Sequence, residues 1–203
     1  MSKGDRPAPD EGASDESIML AVQSGDLSGI QELMSRHERN LYNFLVRYTG
    51  DRHLAEDLFQ DTFVRVIEKS THYDPARGFR AWLFAIAANL ARDACRRREV
   101  RSRELSGKVS PAQPPLGPDE EAGRNEEAQI VGRLLNDLPP DARVMVLMHF
   151  YHGLRYREIA EAMGVPLGTV KSRMHWAVDR LAKLWTEGTV NALAGFTSAV
   201  RKG

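Results

Sequence analysis

Residues 155–176 read RYREIAEAMGVPLGTVKSRMHW, and the reading of this stretch decides the fold. Ile159, Ala160 and Met163 recur at helical spacing, Gly164 interrupts them, and Pro166 stands near the start of a second helix. The apolar stripe of that second helix is Val170, Met174, Ala177, Val178 and Leu181. At ~100° per residue, Gly168, Thr169, Ser172, His175 and Trp176 turn away from the stripe, with Lys171 and Arg173 beside them. A small residue, a turn glycine and a buried β-branched residue, in the order Ala160, Gly164, Val170, match what a helix-turn-helix needs. A helix whose first half shows small, hydroxyl and basic side chains can enter a major groove and reach phosphates or guanine edges. Thr169, Lys171, Ser172, Arg173 and His175 are therefore the candidate duplex contacts. The competing reading is an ordinary helical hairpin with a solvated face.

The rest of the chain is helical too. Leu27, Ile30, Leu33, Met34, His37, Leu41, Phe44, Leu45 and Tyr48 predict a helix over 27–48, with Asp26 as its cap and Gly50 as its end. Asp51 is placed to cap a helix over 52–69, and a third runs from about 80 to 98. Further helices are expected near 126–137, 140–151, 155–163 and 167–186, punctuated by Pro139–Pro140, Gly153 and Gly164. No convincing alternating strand appears. The fold class is all-α: two small helical domains joined by a flexible acidic Pro-rich linker, the second domain a helix-turn-helix. The linker is read from SGKVSPAQPPLGPDEEAG, whose prolines and glycines come with almost no large apolar residue to offset ordering entropy. The expected parts are a disordered acidic tail at 1–16, an N-terminal domain at 17–103, a linker at 104–125, a C-terminal domain at 126–187 and an extension at 188–203.

Charge is segregated along the chain. Of 203 residues, 28 are Lys or Arg and 28 are Asp or Glu, so the chain as a whole is not a basic nucleic-acid binder. Within 76–103, however, eight arginines face only Asp93 and Glu99, a net of +6. The flanking segments 1–16 and 104–128 carry net −3 and −4. Such blocks suggest a polyanion-binding face beside acidic segments. No apolar run approaches ~18 residues, so no membrane span is expected. The first residues lack the apolar stretch of a secretory signal. A single cysteine, Cys95, cannot form an internal disulfide or a cysteine-based zinc site, which suits a cytoplasmic protein.

The basic block contains FRAWLFAIAANLARDACRRRE, with Leu83, Ile86, Ala87, Leu90 and Ala94 as its core stripe. Asn89, Arg92 and Arg96 share another face, with Trp82 a turn earlier. An amide able to read a base edge, two phosphate-binding cations and an aromatic suit nucleic acid. The preceding loop HYDPARGF adds Tyr73, Arg77 and Phe79, expected as loop groups for an unstacked base. Cations beside Cys95 favour its thiolate, and the competing reading is a small helical residue of no special role. In AEDLFQDTFVRVIE, Phe59, Phe63 and Val66 face one side while Asp57, Gln60, Asp61 and Val64 cluster on another. That acidic stripe with one exposed apolar residue can dock a basic partner helix. The six histidines are scattered, and His149 with His152 lacks a good third ligand, so no metal, cofactor or catalytic residue is assigned.

In this order, and with this linker, the three segments resemble the extracytoplasmic-function (ECF) sigma factors, short two-domain members of the sigma family of bacterial RNA polymerase. AEDLFQDTFVRVIE resembles the family's polymerase-binding helix, and YDPARGFRAWLFAIAANLARDACRRR its −10 recognition and melting segment, with Asn89 at the base-reading position. LPPDARVMVLMHFYHGLRYREIAEAMGVPLGTVKSRMHWAVDRL resembles its −35 reading domain. The resemblance implies a non-enzymatic factor that binds core RNA polymerase and promoter DNA, directs promoter-specific initiation, and is held by an anti-sigma factor. A stand-alone helix-turn-helix transcriptional regulator is the alternative, but it leaves the face of Asn89 and Arg96 without a role.

Overall fold

The structure, a computed structural model, describes residues 13–106, 132 and 134–200, with side chains through 101 and then at 132 and 134–186. In chain order the helices are α1 (Asp15–Gln23), α2 (Ile30–Thr49), α3 (Arg52–Glu68), α4 (Phe79–Ser106), α5 (Pro140–Val146), α6 (Tyr156–Met163) and α7 (Leu167–Val200). Two 3-10 turns, Ser70–His72 and Pro75–Arg77, join α3 to α4, and a π-helical turn, Leu147–Tyr151, continues α5. No strand occurs among the described residues.

The first core is built by α2, α3 and α4. Leu33, Leu41, Phe44 and Leu45 of α2 meet Ala55, Leu58 and Phe63 of α3 and Leu83, Phe84 and Ala87 of α4, all buried. Burying each of the large side chains contributes about 1.5–3 kcal/mol relative to exposure. The chain turns between α2 and α3 at Gly50, whose φ of 68° lies in the left-handed region, and Asp51 Oδ1 then accepts from the Leu54 N–H at 3.2 Å, as its capping role requires. The Arg98 guanidinium donates to the other Asp51 oxygen at 2.7 Å. These bonds hold the Asp51 carboxyl below the usual carboxylate range.

Helix α1 departs from the expected disordered tail. Asp15 and Glu16, assigned to 1–16 on acidic composition, belong to this helix. Asp15 accepts from Arg36 at 2.8 Å and from His37 Nε2 at 2.5 Å. Burial would raise its carboxyl, but those two bonds outweigh it and hold it low. Glu16 Oε1 accepts from the Phe79 N–H at 3.1 Å, so an α1 side chain caps the start of α4. Gln23 Nε2 donates to the Ser70 and Tyr73 carbonyls, both at 2.8 Å. Asp26 binds the Ser28 N–H rather than capping α2, and Leu27 is exposed. Residues 1–12 of the expected tail lie outside the described residues.

The second core gathers Leu135, Leu138, Ala142, Val144, Met145, Leu147 and Met148 against Ile159, Val170, Met174 and Ala177. Gly164, at φ 65°, takes the turn between α6 and α7, and the following Val165 N–H bonds the Ala160 carbonyl at 3.0 Å. Val178, placed by periodicity in the apolar stripe of α7, is exposed. Of the helix expected at 126–137, positions 132 and 134–136 are described and helical. The expected linker at 104–125 lies outside the described residues except at its start, where α4 continues to Ser106. Helix α7 likewise runs beyond 186 to Val200, through most of the expected extension.

The two cores are not held apart. His152, 4% exposed, sits 4.7 Å from the Phe84 ring and 5.7 Å from the Phe44 ring, centroid to centroid. Arg80 donates to the His152 carbonyl, and the Arg143 guanidinium lies 5.5 Å from the centre of the Tyr48 ring. Arg47 stacks over Tyr151 at 4.5 Å. The C-terminal unit therefore packs directly on α2 and α4.

Candidate nucleic-acid and polymerase interfaces

The core stripe of α4 points inward at Leu83, Ile86, Ala87 and Ala94, and Leu90 is half-buried against the same core. That rotation carries Asn89, Arg92 and Arg96 onto one open cleft, which Tyr48, Pro140 and Arg143 complete. Asn89 and Arg96 are exposed, and Arg92 is half-buried. The Asn89 side-chain carbonyl accepts from Arg92 Nη2, so the amide and the cation already form one unit. Arg92 Nη1 donates to Asp141 Oδ1 at 2.6 Å. A second cleft runs along the same helix, lined by Lys69, Arg77, Trp82 and Asn89 and walled by Glu161 and Ala162 of α6.

The loop aromatics are placed differently from expectation. Tyr73 and Phe79, read as groups offered to an unstacked base, are buried at 4% and 0% exposure. Tyr73 packs with its ring tilted against Trp82 at 5.1 Å and edge-on to Phe79 at 6.2 Å, and Phe79 meets His37 edge-on at 5.3 Å. Burial first, then the Glu16 and Asp15 charges, push the Tyr73 hydroxyl up to about 12. Their role is to build the wall behind Trp82. Arg77 alone of the three loop residues is exposed, 3.4 Å from Asp74.

Cys95 also differs from the thiolate expectation. It is half-buried, and burial pushes its thiol up; the Arg143 and Arg98 charges act in the opposite direction without overcoming it. A thiolate-favouring site is therefore absent at Cys95.

On α3, Asp57, Gln60, Asp61 and Val64 are all exposed, and 53% of Val64 is open to solvent. Their common face adjoins a groove between α2 and α3 whose apolar lining is Met34, Tyr42 and Phe59. On α7, Lys171, Ser172 and His175 are exposed and Thr169 is half-buried. Ser172 Oγ donates to the Thr169 carbonyl at 3.1 Å. Arg173 does not reach freely outward: its Nη1 donates to Asp141 Oδ2 at 2.9 Å. Asp141 thus joins a cation of α4 to a cation of α7. Asp141 and Glu161 have no marker in the sequence, where Asp141 after Pro139–Pro140 reads as a first-turn acid of α5 and nothing local marks its partners; His152, weighed there only as a metal ligand beside His149, is instead a buried ring against Phe44 and Phe84. No cluster of metal-ligating side chains occurs among the described residues, and no helix there is long and apolar enough to cross a membrane.

Residues 33–101 match the Sigma-70 region 2 family, and residues 128–181 match Sigma-70, region 4. The chain is 36% identical to the ECF RNA polymerase sigma factor SigE of Mycolicibacterium smegmatis, over 80% of this chain and 65% of that one. It is 31% identical to the RNA polymerase sigma factor CarQ of Myxococcus xanthus, covering 83% of this chain and 96% of CarQ. Identity to the ECF RNA polymerase sigma factor SigL of Mycobacterium tuberculosis is 32%, with coverages of 75% and 86%. Among solved structures, CnrH in complex with the cytosolic domain of CnrY is similar with a TM-score of 0.65 and 25% identity, over 85% of this chain and 97% of that one. The match over 33–101 covers the α4 face that a stand-alone regulator would leave without a role.

Proposed function

The chain belongs to the ECF sigma factors of RNA polymerase, and from that premise we propose how its surfaces divide the work of promoter-specific initiation. The exposed face of Asp57, Gln60, Asp61 and Val64 docks on core polymerase. Lys171, Ser172, His175 and Thr169 read the −35 duplex, with Arg173 joining them once released from Asp141. Asn89 reads an unpaired −10 base, and Arg92, Arg96 and Arg77 hold the adjoining phosphates. The ring available beside Asn89 is Trp82, because Tyr73 and Phe79 are buried. The observation that carries this division is the convergence of Asn89, Arg92 and Arg96 on one cleft of α4. The factor acts in the cytoplasm and supplies binding energy, not chemistry, so it is no enzyme. An anti-sigma factor is a further partner, in keeping with the solved relatives captured with one.

Promoter selection from a randomised library with core polymerase tests the DNA assignments. Asn89→Ala should relax preference at one −10 position by ~1–3 kcal/mol, a good amide–base pair's discrimination, and leave −35 preference intact. Lys171→Ala should do the reverse. A profile identical to wild type in either variant overturns that assignment.

The docking face has its own test. Asp61→Arg puts like charge against a basic partner surface and should weaken core-polymerase binding by roughly tenfold or more, with helix content unchanged. Unaltered affinity removes α3 from the interface.

A further inference from the structure

We propose that α1 is a positioning element for −10 reading: without touching DNA, Glu16 and Gln23 fix the loop 70–79 and with it the spacing of Lys69, Arg77 and Trp82 around Asn89. The inference rests on the assignment of the α4 face to DNA. Lys69, Arg77, Trp82 and Asn89 line one cleft, and no α1 residue is among the described residues that line it. Lys69 immediately precedes the loop, Arg77 lies within it, and Trp82 follows it in the first turn of α4. The shape of the cleft is therefore the shape of the loop. The loop's backbone hydrogen bonds, Tyr73 N–H to the Ser70 carbonyl at 3.0 Å and Gly78 N–H to the Pro75 carbonyl at 3.2 Å among them, each close a single turn and do not join one turn to the other.

Helix α1 makes that join. Gln23 Nε2 donates at 2.8 Å to the Ser70 carbonyl, where the first turn starts, and at 2.8 Å to the Tyr73 carbonyl, where the chain leaves it. Glu16 Oε1 accepts from the Phe79 N–H at 3.1 Å, where the second turn becomes α4. Seven residues of helix separate Glu16 from Gln23, a rise of about 10 Å, so one stiff rod grips the loop at both ends. Asp15 adds a third link through His37 at 2.5 Å, whose ring meets Phe79 edge-on. The effect reaches the reading face through rings: the residue whose carbonyl Gln23 holds, Tyr73, packs against Trp82 at 5.1 Å, and Trp82 is the ring beside Asn89. Recognition groups work only when held within about 0.5 Å of their productive geometry. A loop ordered before DNA arrives also escapes the ordering cost that would otherwise weaken capture of a base.

The test uses the full chain with core polymerase. Gln23→Glu keeps the side chain's shape but turns an oxygen toward the two carbonyls in place of their donor, and Glu16→Ala removes the acceptor at Phe79. Each should slow promoter opening at saturating holoenzyme by about fivefold or more, the lower end of what a half-buried carbonyl or N–H left unpaired costs. Selection from a randomised library should show the −10 preference that Asn89 reads flattened, with −35 preference and core-polymerase affinity as in wild type. Glu16→Gln keeps an oxygen for the Phe79 N–H and should restore most of the opening rate. Because both residues act on one base, adding Gln23→Glu to Asn89→Ala should flatten that position no further than Asn89→Ala alone. A loss spread evenly over core affinity, −35 preference and opening, tracking a fall in melting temperature, would show α1 to be structural only and overturn the inference. So would a Gln23→Glu variant with wild-type opening and −10 profile, while the −10 assignment itself is judged by Asn89→Ala. If Asn89→Ala leaves the profile intact, the assignment falls and the positioning role falls with it.

Discussion

Acidification from pH 6.5 to pH 4 should cost the folded chain about 3 kcal/mol through His152 alone. Its imidazole is buried among Phe44, Phe84 and the π-helical turn, and neither ring nitrogen has a hydrogen-bond partner. Burial foremost, then the positive charges of Arg80 on α4 and Arg47 on α2, push it down from the usual 6.5 to about 3. The sign follows from which state takes the proton. Below pH 6.5 the exposed imidazole of the unfolded chain is protonated and the buried one is not. Each further pH unit therefore favours unfolding by about 1.4 kcal/mol until the folded group titrates. Asp15 and Asp51 also lose stabilising bonds in acid, so the measurement must be differential. Urea unfolding across this range should show wild type losing stability faster than His152→Leu, with the gap growing toward low pH. Parallel profiles would mean that the ring is solvated in solution.

Phe84→Ala should destabilise the chain by about 3–5 kcal/mol, the usual cost of emptying a buried aromatic site. Phe84 is 0% exposed, packs edge-on to Phe44 at 5.3 Å and lies 4.7 Å from His152. Its side chain belongs at once to the α2–α4 core and to the seat of the C-terminal unit. The cavity can therefore be relieved only by moving α4 or by releasing His152. Phe84→Leu keeps most of the volume and should lose less than half as much. Denaturant midpoints at constant slope measure both. A loss below about 1 kcal/mol for the alanine variant would place Phe84 outside the cooperative core.

The helix-turn-helix was legible because its determinants are local. Gly164 takes its left-handed turn, Val170 and Met174 are buried, and Lys171, Ser172 and His175 face out. The same is true of α3 and of the rotation of α4, where 3.6-residue periodicity alone separates Leu83 and Ala87 from Asn89. Legibility failed where a residue's environment comes from distant chain. Acidic Asp15 and Glu16 read as solvated because Arg36, His37 and the Phe79 N–H lie 21, 22 and 63 residues away. Tyr73 and Phe79 beside Arg77 look like a surface cluster until Trp82 and His37 pack against them. For Cys95 the neighbouring arginines were visible, but the burial that outweighs them was not. The contacts of Asp141, 49 residues from Arg92 and 32 from Arg173, have no local signature at all.

The Glu16 bond to the Phe79 amide has a practical corollary for anyone who trims or tags this protein. The Sigma-70 region 2 match begins only at residue 33, yet the helix bearing Asn89 takes its first-turn hydrogen bond from residue 16. Ser14 in turn accepts from the Ser17 N–H at 3.2 Å and so starts α1 itself. A fragment cut at the homology boundary would begin inside α2 and discard three tethers: the Asp15 pairs, the Glu16 cap and the two Gln23 bonds to the 3-10 turn region. The smallest N-terminal fragment that keeps α4 anchored as in the whole chain starts no later than Ser14, and an affinity handle belongs upstream of it.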